Sequence, residues 1–190
     1  MLLNNVVYVS YMLPAKRILP LVPDKLSLAL VDGEKAFLSI VILRCRDVHL
    51  ASFPFPRFDY YQLNVRTYVI DPYTGNQAVY FLKSGVTALP ISTATRVFGL
   101  SWQHIKLTVE TENGIRPLIG FYRWGTGMGR FEIRHPEVYP VAMHLNTFHF
   151  RVPGESDLLG TDELLRPHSV LFVPEALFSI YLPPEKMDDK

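Results

Sequence analysis

The sequence predicts an all-β domain with one or two short helices, its strands antiparallel and closed or nearly closed into a barrel. Three observations carry this. Apolar and polar residues alternate with period two in about nine or ten separate stretches. Turn signals of the hairpin kind lie between them, at Asp32-Gly33, Asp71 to Asn76 and Asn113-Gly114. Only one stretch, from Ser92 to Gly99, reads as a firm helix, with Ser92 as its cap. An all-β chain must dispose of its sheet edges, and closure does so.

Composition bounds the rest. The 190 residues suit one domain, 1–190, with a sizeable core. A hydrophobic fraction of 48% against 19% charged residues excludes the disordered class. A net charge of +1 gives no electrostatic case for nucleic acid or a membrane surface as partner. The single cysteine, Cys45, rules out an intramolecular disulfide framework. It alternates with Phe37, Val41 and Leu43, so it reads as a small core residue rather than a reactive thiol, although Arg44 and Arg46 flank it. His144 and His149 are five apart, on opposite sides of a strand, and no metal-ligand spacing exists elsewhere, so neither metal nor cofactor is expected. The apolar start contains Asn4 and Asn5 and no preceding basic residue, which reads as a first strand rather than a leader. No apolar run reaches the roughly 18 residues of a spanning helix, so the expected location is cytoplasmic.

The elements follow in order. Val6 to Tyr11 alternates as a strand. Pro14 opens a helical turn or two through Leu19, ended by Pro20 and Pro23. Lys25 to Leu30 reads as a strand, and Ala36 to Val48 as a long one, with Arg44 and Arg46 ending the Ala36, Leu38, Ile40, Ile42 face. Residues 51 to 58 cannot form a central strand because Pro54 and Pro56 lack ladder donors; their phenylalanines read as a lid or a core cap. Tyr60 to Val69 is the strand of most interest, and Ala78 to Ser84 returns as its hairpin partner, Lys83 alternating with Val79 and Phe81. Ile105 to Glu112 and Leu118 to Trp124 form a further hairpin. The glycines of 125 to 129 resemble a phosphate loop in spacing, but strand-like Arg130 to Arg134 follows instead of a helix, so hairpin or bulge glycines are expected. Val141 to Val152 is a long strand. Residues 153 to 166 read as a polar insertion with a short helix at 162 to 165. Ser169 to Val173 and Phe178 to Leu182 close the chain as short strands, and Glu185 to Lys190 form a frayed charged tail.

Within Tyr60 to Val69 the two faces differ sharply. Leu63, Val65, Thr67 and Val69 share an ordinary core face, while Asn64, Arg66 and Tyr68 share the other. An amide, a guanidinium and a phenol in a row either meet water or line a cavity where polar groups converge.

The string Asn64-Val65-Arg66-Thr67-Tyr68-Val69 stands between two other signals. Upstream are Leu21-Val22-Pro23-Asp24-Lys25-Leu26 and Asp32-Gly33-Glu34-Lys35-Ala36-Phe37; downstream are Val79-Tyr80-Phe81-Leu82 and Ala94-Thr95-Arg96-Val97-Phe98-Gly99-Leu100. Together, over residues 6 to 110, they resemble the YqjF-like, functionally unassigned branch of the acetoacetate decarboxylase-like superfamily. The resemblance implies a cone-shaped antiparallel β-barrel around a ligand cavity. It also implies a neutral lysine that forms a Schiff base with a β-keto acid, set among carboxylates and an arginine. Phe98-Gly99-Leu100-Ser101-Trp102, where that lysine belongs, contains none; Lys83 and Lys106 are the nearest. Gln62 stands where an acidic residue is expected.

Three functions follow as expectations. The first is a barrel that binds a small carboxylated or keto ligand, possible anions included, through Gln62, Asn64, Arg66, Tyr68 and Arg96. The second is a lysine-dependent decarboxylase or aldolase-like lyase, with Lys83 as the catalytic candidate or Lys106 in its place. The third is a non-catalytic structural or assembly protein, a homo-oligomer through aromatic surface around 53 to 61.

Overall fold

The structure is a computed structural model, and it describes residues 1–50, 53–97, 99–100, 102–111, 118–124, 127–133 and 167–177. The expected strands at 141 to 152 and 178 to 182, the insertion at 153 to 166 and the tail lie outside these residues.

The chain opens with β1 (Leu2–Pro14), a helical turn α1 (Ala15–Ile18) and a 3-10 turn (Leu19–Leu21). Two-residue strands β2 (Ser27–Leu28) and β3 (Leu30–Val31) follow, then the long β4 (Lys35–Leu50) and β5 (Phe53–Ile70). Next come β6 (Gln77–Val86), helix α2 (Leu89–Val97), β7 (Trp102–His104), β8 (Lys106–Thr111), β9 (Leu118–Trp124), β10 (Gly127–Ile133) and β11 (Ser169–Leu177). Most of the main sheet runs β11-β1-β4-β5-β6-β7, with β2 added beside β5 and β3 beside β4; β10-β9-β8 form a second, three-stranded sheet.

The fold is therefore mostly β with few helices, as the alternation predicts. Two features differ from expectation. The described ladder is an open path between β11 and β7, not a closed ring. Its pairings are antiparallel except for β6 and β7, which run parallel because α2 carries the chain back between them.

Local chemistry accounts for the elements. Asp32 and Gly33 both take positive φ, 53° and 74°, and form the mirror-image turn that joins β3 to β4. Asp71 caps the β5–β6 turn: its Oδ1 accepts the Tyr73 amide at 2.8 Å, and Gly75 supplies φ of 70°. Helix α2 begins at Leu89, earlier than the Ser92 cap predicts. Pro90 is tolerated in a first turn, and Ser92 bonds inside the helix, its hydroxyl donating to the Leu89 carbonyl at 2.9 Å. The other end is as expected: Gly99 has φ of 78°, and the Leu100 amide reaches back to the Thr95 carbonyl at 2.9 Å. The expected strand over 25 to 30 survives only as β2 and β3, which pair with different neighbours.

Residues 53 to 58 are strand, yet not a central one, as the two prolines require. They extend β5, but pair only with β4 and through shifted register, so the prolines lose no second ladder. Phe58 packs against a core, whereas Phe55 is 74% exposed with the Arg57 guanidinium 5.4 Å from its ring centre.

The main sheet buries both faces. One carries the larger core, including Val7, Val9, Leu38, Ile40, Ile42, Leu63 and Val65, closed by Ile18, Ile105 and Leu107. On the other, Leu3, Val6, Val41, Leu43, Cys45, Tyr60 and Val86 pack with Ile91 of α2 and Trp102 of β7. A bulge at Asn5, whose φ is 51°, shifts the alternation so that Leu3 and Val6, three apart, enter the same core. Arg44 and Arg46 sit where the first face meets solvent, both near Asp59, at 3.6 and 3.5 Å.

Candidate functional site

The polar side of β5 does not stand alone. Strand register sets Ser39 of β4 opposite Arg66 and opposite Ser10 of β1, and sets Ser84 of β6 opposite Asn64. Cross-strand partners share a face, so these groups form one polar seam beside the smaller core. Ser39, Gln62, Asn64 and Ser84 are all buried.

Two hydrogen-bonded runs make up the seam. Cys45 Sγ approaches Gln62 Oε1 at 3.7 Å, and Gln62 Nε2 donates to Asn64 Oδ1 at 2.9 Å. Ser10 Oγ and Ser39 Oγ are 2.8 Å apart, Ser39 Oγ lies 3.3 Å from the Tyr68 hydroxyl, and Arg66 Nη2 donates to that hydroxyl at 3.4 Å. The guanidinium carbon of Arg66 stands 4.9 Å from the Tyr8 ring centre and 5.7 Å from that of Tyr68. Two aromatic faces therefore hold the cation by cation–π attraction.

The electrostatics of the seam are one-sided. Arg66 is half-buried, and its Nε is buried with no hydrogen-bond partner. Among the described residues no carboxylate pairs with it. Asp71, just beyond the end of β5, is committed to its own turn, where the Tyr73 amide and then the Thr74 hydroxyl hold its carboxyl below the usual value of 3.8. Ser84 Oγ is a second buried group without a partner. Burial pushes the Cys45 thiol up to about 12, offset in part by the Tyr60 hydroxyl, so the thiol stays protonated.

The sequence candidates separate accordingly. Gln62, Asn64, Arg66 and Tyr68 come together on the seam. Arg96 lies exposed in the last turn of α2. Lys83 does not follow the alternation of Val79 and Phe81. A bulge at Leu82 leaves Phe81 opposite Arg66 and moves Lys83 opposite Val65, a residue of the larger core on the other side of the sheet. Lys106 is exposed on β8. Tyr8, Ser10, Ser39 and Ser84 are the seam residues that sequence reasoning missed. The available signal was a serine at an inward position of an apolar strand, as in Leu38-Ser39-Ile40.

Among the described residues no group of three or more His, Cys, Asp or Glu side chains could hold a metal ion. No helix among them is long and apolar enough to cross a membrane.

Comparison with solved structures gives distant similarities. Acetoacetate decarboxylase from Legionella pneumophila aligns with a TM-score of 0.49 and 15% identity over 72% of this chain and 51% of that one. The enduracididine biosynthesis enzyme MppR in complex with pyruvate gives 0.49 and 13% over 75% of this chain and 60% of that one. An acetoacetate decarboxylase-like enzyme from Sphingomonas wittichii gives 0.48 and 14% over 72% and 58%. The chain thus spans between 51% and 60% of the length of these structures. No curated protein matches the sequence significantly. A family model described as an uncharacterized conserved protein, DUF2071, matches residues 1–135, and the chain belongs to that family.

Proposed function

We propose that the seam binds a small carboxylated or keto-bearing molecule, with Arg66 as the anion-holding group and Gln62, Asn64 and Tyr68 as its polar neighbours. On this reading the domain is of the YqjF-like, acetoacetate decarboxylase-like type, a cone-shaped barrel around the ligand. The observation that carries the proposal is the half-buried Arg66 guanidinium, which faces two rings and a phenol with no described carboxylate. A cation withdrawn from water without a counter-charge is costly, and a ligand carboxylate against the guanidinium would relieve that cost.

Binding is preferred over lysine chemistry for a geometric reason. The bulge at Leu82 sets Lys83 in register with Val65 rather than Arg66, and Lys106 is exposed. An amine that attacks a bound keto acid must reach the keto carbon, which adjoins the carboxylate in pyruvate and lies one carbon further along in acetoacetate.

The test is calorimetric titration of the full chain with pyruvate, acetoacetate and neutral acetone, repeated on Arg66→Met. The two acids should bind and acetone should not. Loss of the cation should weaken acid binding on the order of 30-fold or more. Equal acid binding by Arg66→Met would end the proposal. Borohydride reduction in the presence of each acid addresses the lyase reading, since a mass increment on Lys83 or Lys106 would restore it.

A further inference from the structure

We propose that the molecule held at Arg66 is an amphipathic carboxylate whose apolar body lies along β6 over Phe81 and Val79. This rests on the carboxylate reading above and names the class of ligand.

The inference comes from the bulge. Without it, Phe81 and Lys83 would share a face. With it, register sets Phe81 opposite Arg66 and Val79 opposite Tyr68, while Tyr80 and Leu82 turn the other way and pack against the larger core. Phe81 is 48% exposed and Val79 40% exposed. Two large apolar side chains therefore stand in water directly beside the cation and the phenol. Cross-strand neighbours have Cβ atoms about 5 Å apart, so a carboxylate seated on Arg66 brings its next few carbons over these side chains.

The two ends of the seam differ, and this sets the direction of the body. Towards α2 the seam is closed by buried Gln62, Asn64 and Ser84, the last with an unpartnered hydroxyl. An alkyl or aryl group there would bury polar atoms without replacing their hydrogen bonds. Towards Phe81 and Val79 the sheet is open among the described residues. Among the described residues β7 pairs with β6 only at Ser84, Gly85 and Val86, and β6 beyond that has β5 as its sole strand neighbour. A three-carbon oxo acid would leave both apolar side chains hydrated and gain nothing from them. A longer one would cover them.

Calorimetry on the full chain with pyruvate, 2-oxooctanoate and 2-octanone tests this. Five added methylene-equivalents, partly covered, should make 2-oxooctanoate bind at least about tenfold more tightly than pyruvate. Phe81→Ser and Val79→Ser should each remove much of that advantage and leave pyruvate binding within about twofold of the parent. Both positions are exposed, so thermal unfolding of the variants should match the parent closely. Equal affinity for the two oxo acids, or an advantage that survives both substitutions, overturns the inference and leaves the carboxylate reading standing. Binding of 2-octanone as tight as 2-oxooctanoate, or no binding of either acid, overturns both.

Discussion

Replacing Gly85 by alanine tests the packing that seats β6 between the two cores. Gly85 is buried, and its register partner is Leu63. A Cβ built there would lie 2.7 Å from both Cδ1 and Cγ2 of Ile105 and 3.1 Å from Cγ1. Carbon atoms pack at about 3.5–4.0 Å, so Ile105 would have to retreat by roughly 1 Å. It has little room to do so. Its side chain is buried in the larger core, its branched Cβ is stiff, and its amide donates to the Val86 carbonyl at 2.9 Å. Overpacking of this kind costs about 1–3 kcal/mol. Alanine returns about 0.5–1 kcal/mol by restricting the unfolded chain, so a mid-range overpacking cost of about 2 kcal/mol leaves a net loss of about 1 kcal/mol. Equilibrium urea unfolding should read this as a lower midpoint at unchanged slope. Ile105→Val removes one of the two closest atoms, so the double variant should be more stable than the sum of single effects by about 0.5 kcal/mol or more. A Gly85→Ala protein as stable as the parent, or strict additivity with Ile105→Val, would refute the packing argument.

Other consequences are simpler to check. Gly99→Ala meets no neighbour within 4 Å but must hold φ near 78°, so thermal unfolding should show a loss of about 1 kcal/mol from strain alone. The Asp71 carboxyl is held below 3.8 by the Tyr73 amide and then the Thr74 hydroxyl, so its contribution is present above that pH and lost as pH falls through the lower folded value; Asp71→Ala should therefore flatten the decline in stability measured by urea unfolding between pH 5 and pH 3. Cys45, fully buried and pushed up to about 12 by desolvation, should resist a thiol-specific disulfide reagent at pH 8 and react at once in denaturant.

Some of these residues were legible from the chain and others were not. Cys45 alternates with Val41 and Leu43, and it is buried with both. Asn64, Arg66 and Tyr68 follow strict period two, and the structure keeps them on one face. The turns at Asp32-Gly33 and Asp71 to Asn76 depend on side chains that need no distant partner. Lys83 was misassigned to a face because a bulge is a one-residue slip between two strands, and neither strand records it alone. Arg96 matched a motif, yet its helix presents it to solvent. Ser10 and Ser39 lie 29 residues apart in sequence, and only the β1–β4 register brings their hydroxyls to 2.8 Å.

What the sequence by itself determined is which side chains on a given strand share a face, because side-chain alternation is a property of the local backbone. It therefore carried the all-β character, the hairpins and the polar row around Arg66. Only the tertiary structure decided which rows lie side by side, where bulges shift them, and that Phe81 rather than Lys83 stands beside Arg66. Those outcomes depend on pairing between strands remote in the chain, and on which competing arrangement buries its apolar atoms and pairs its backbone groups best.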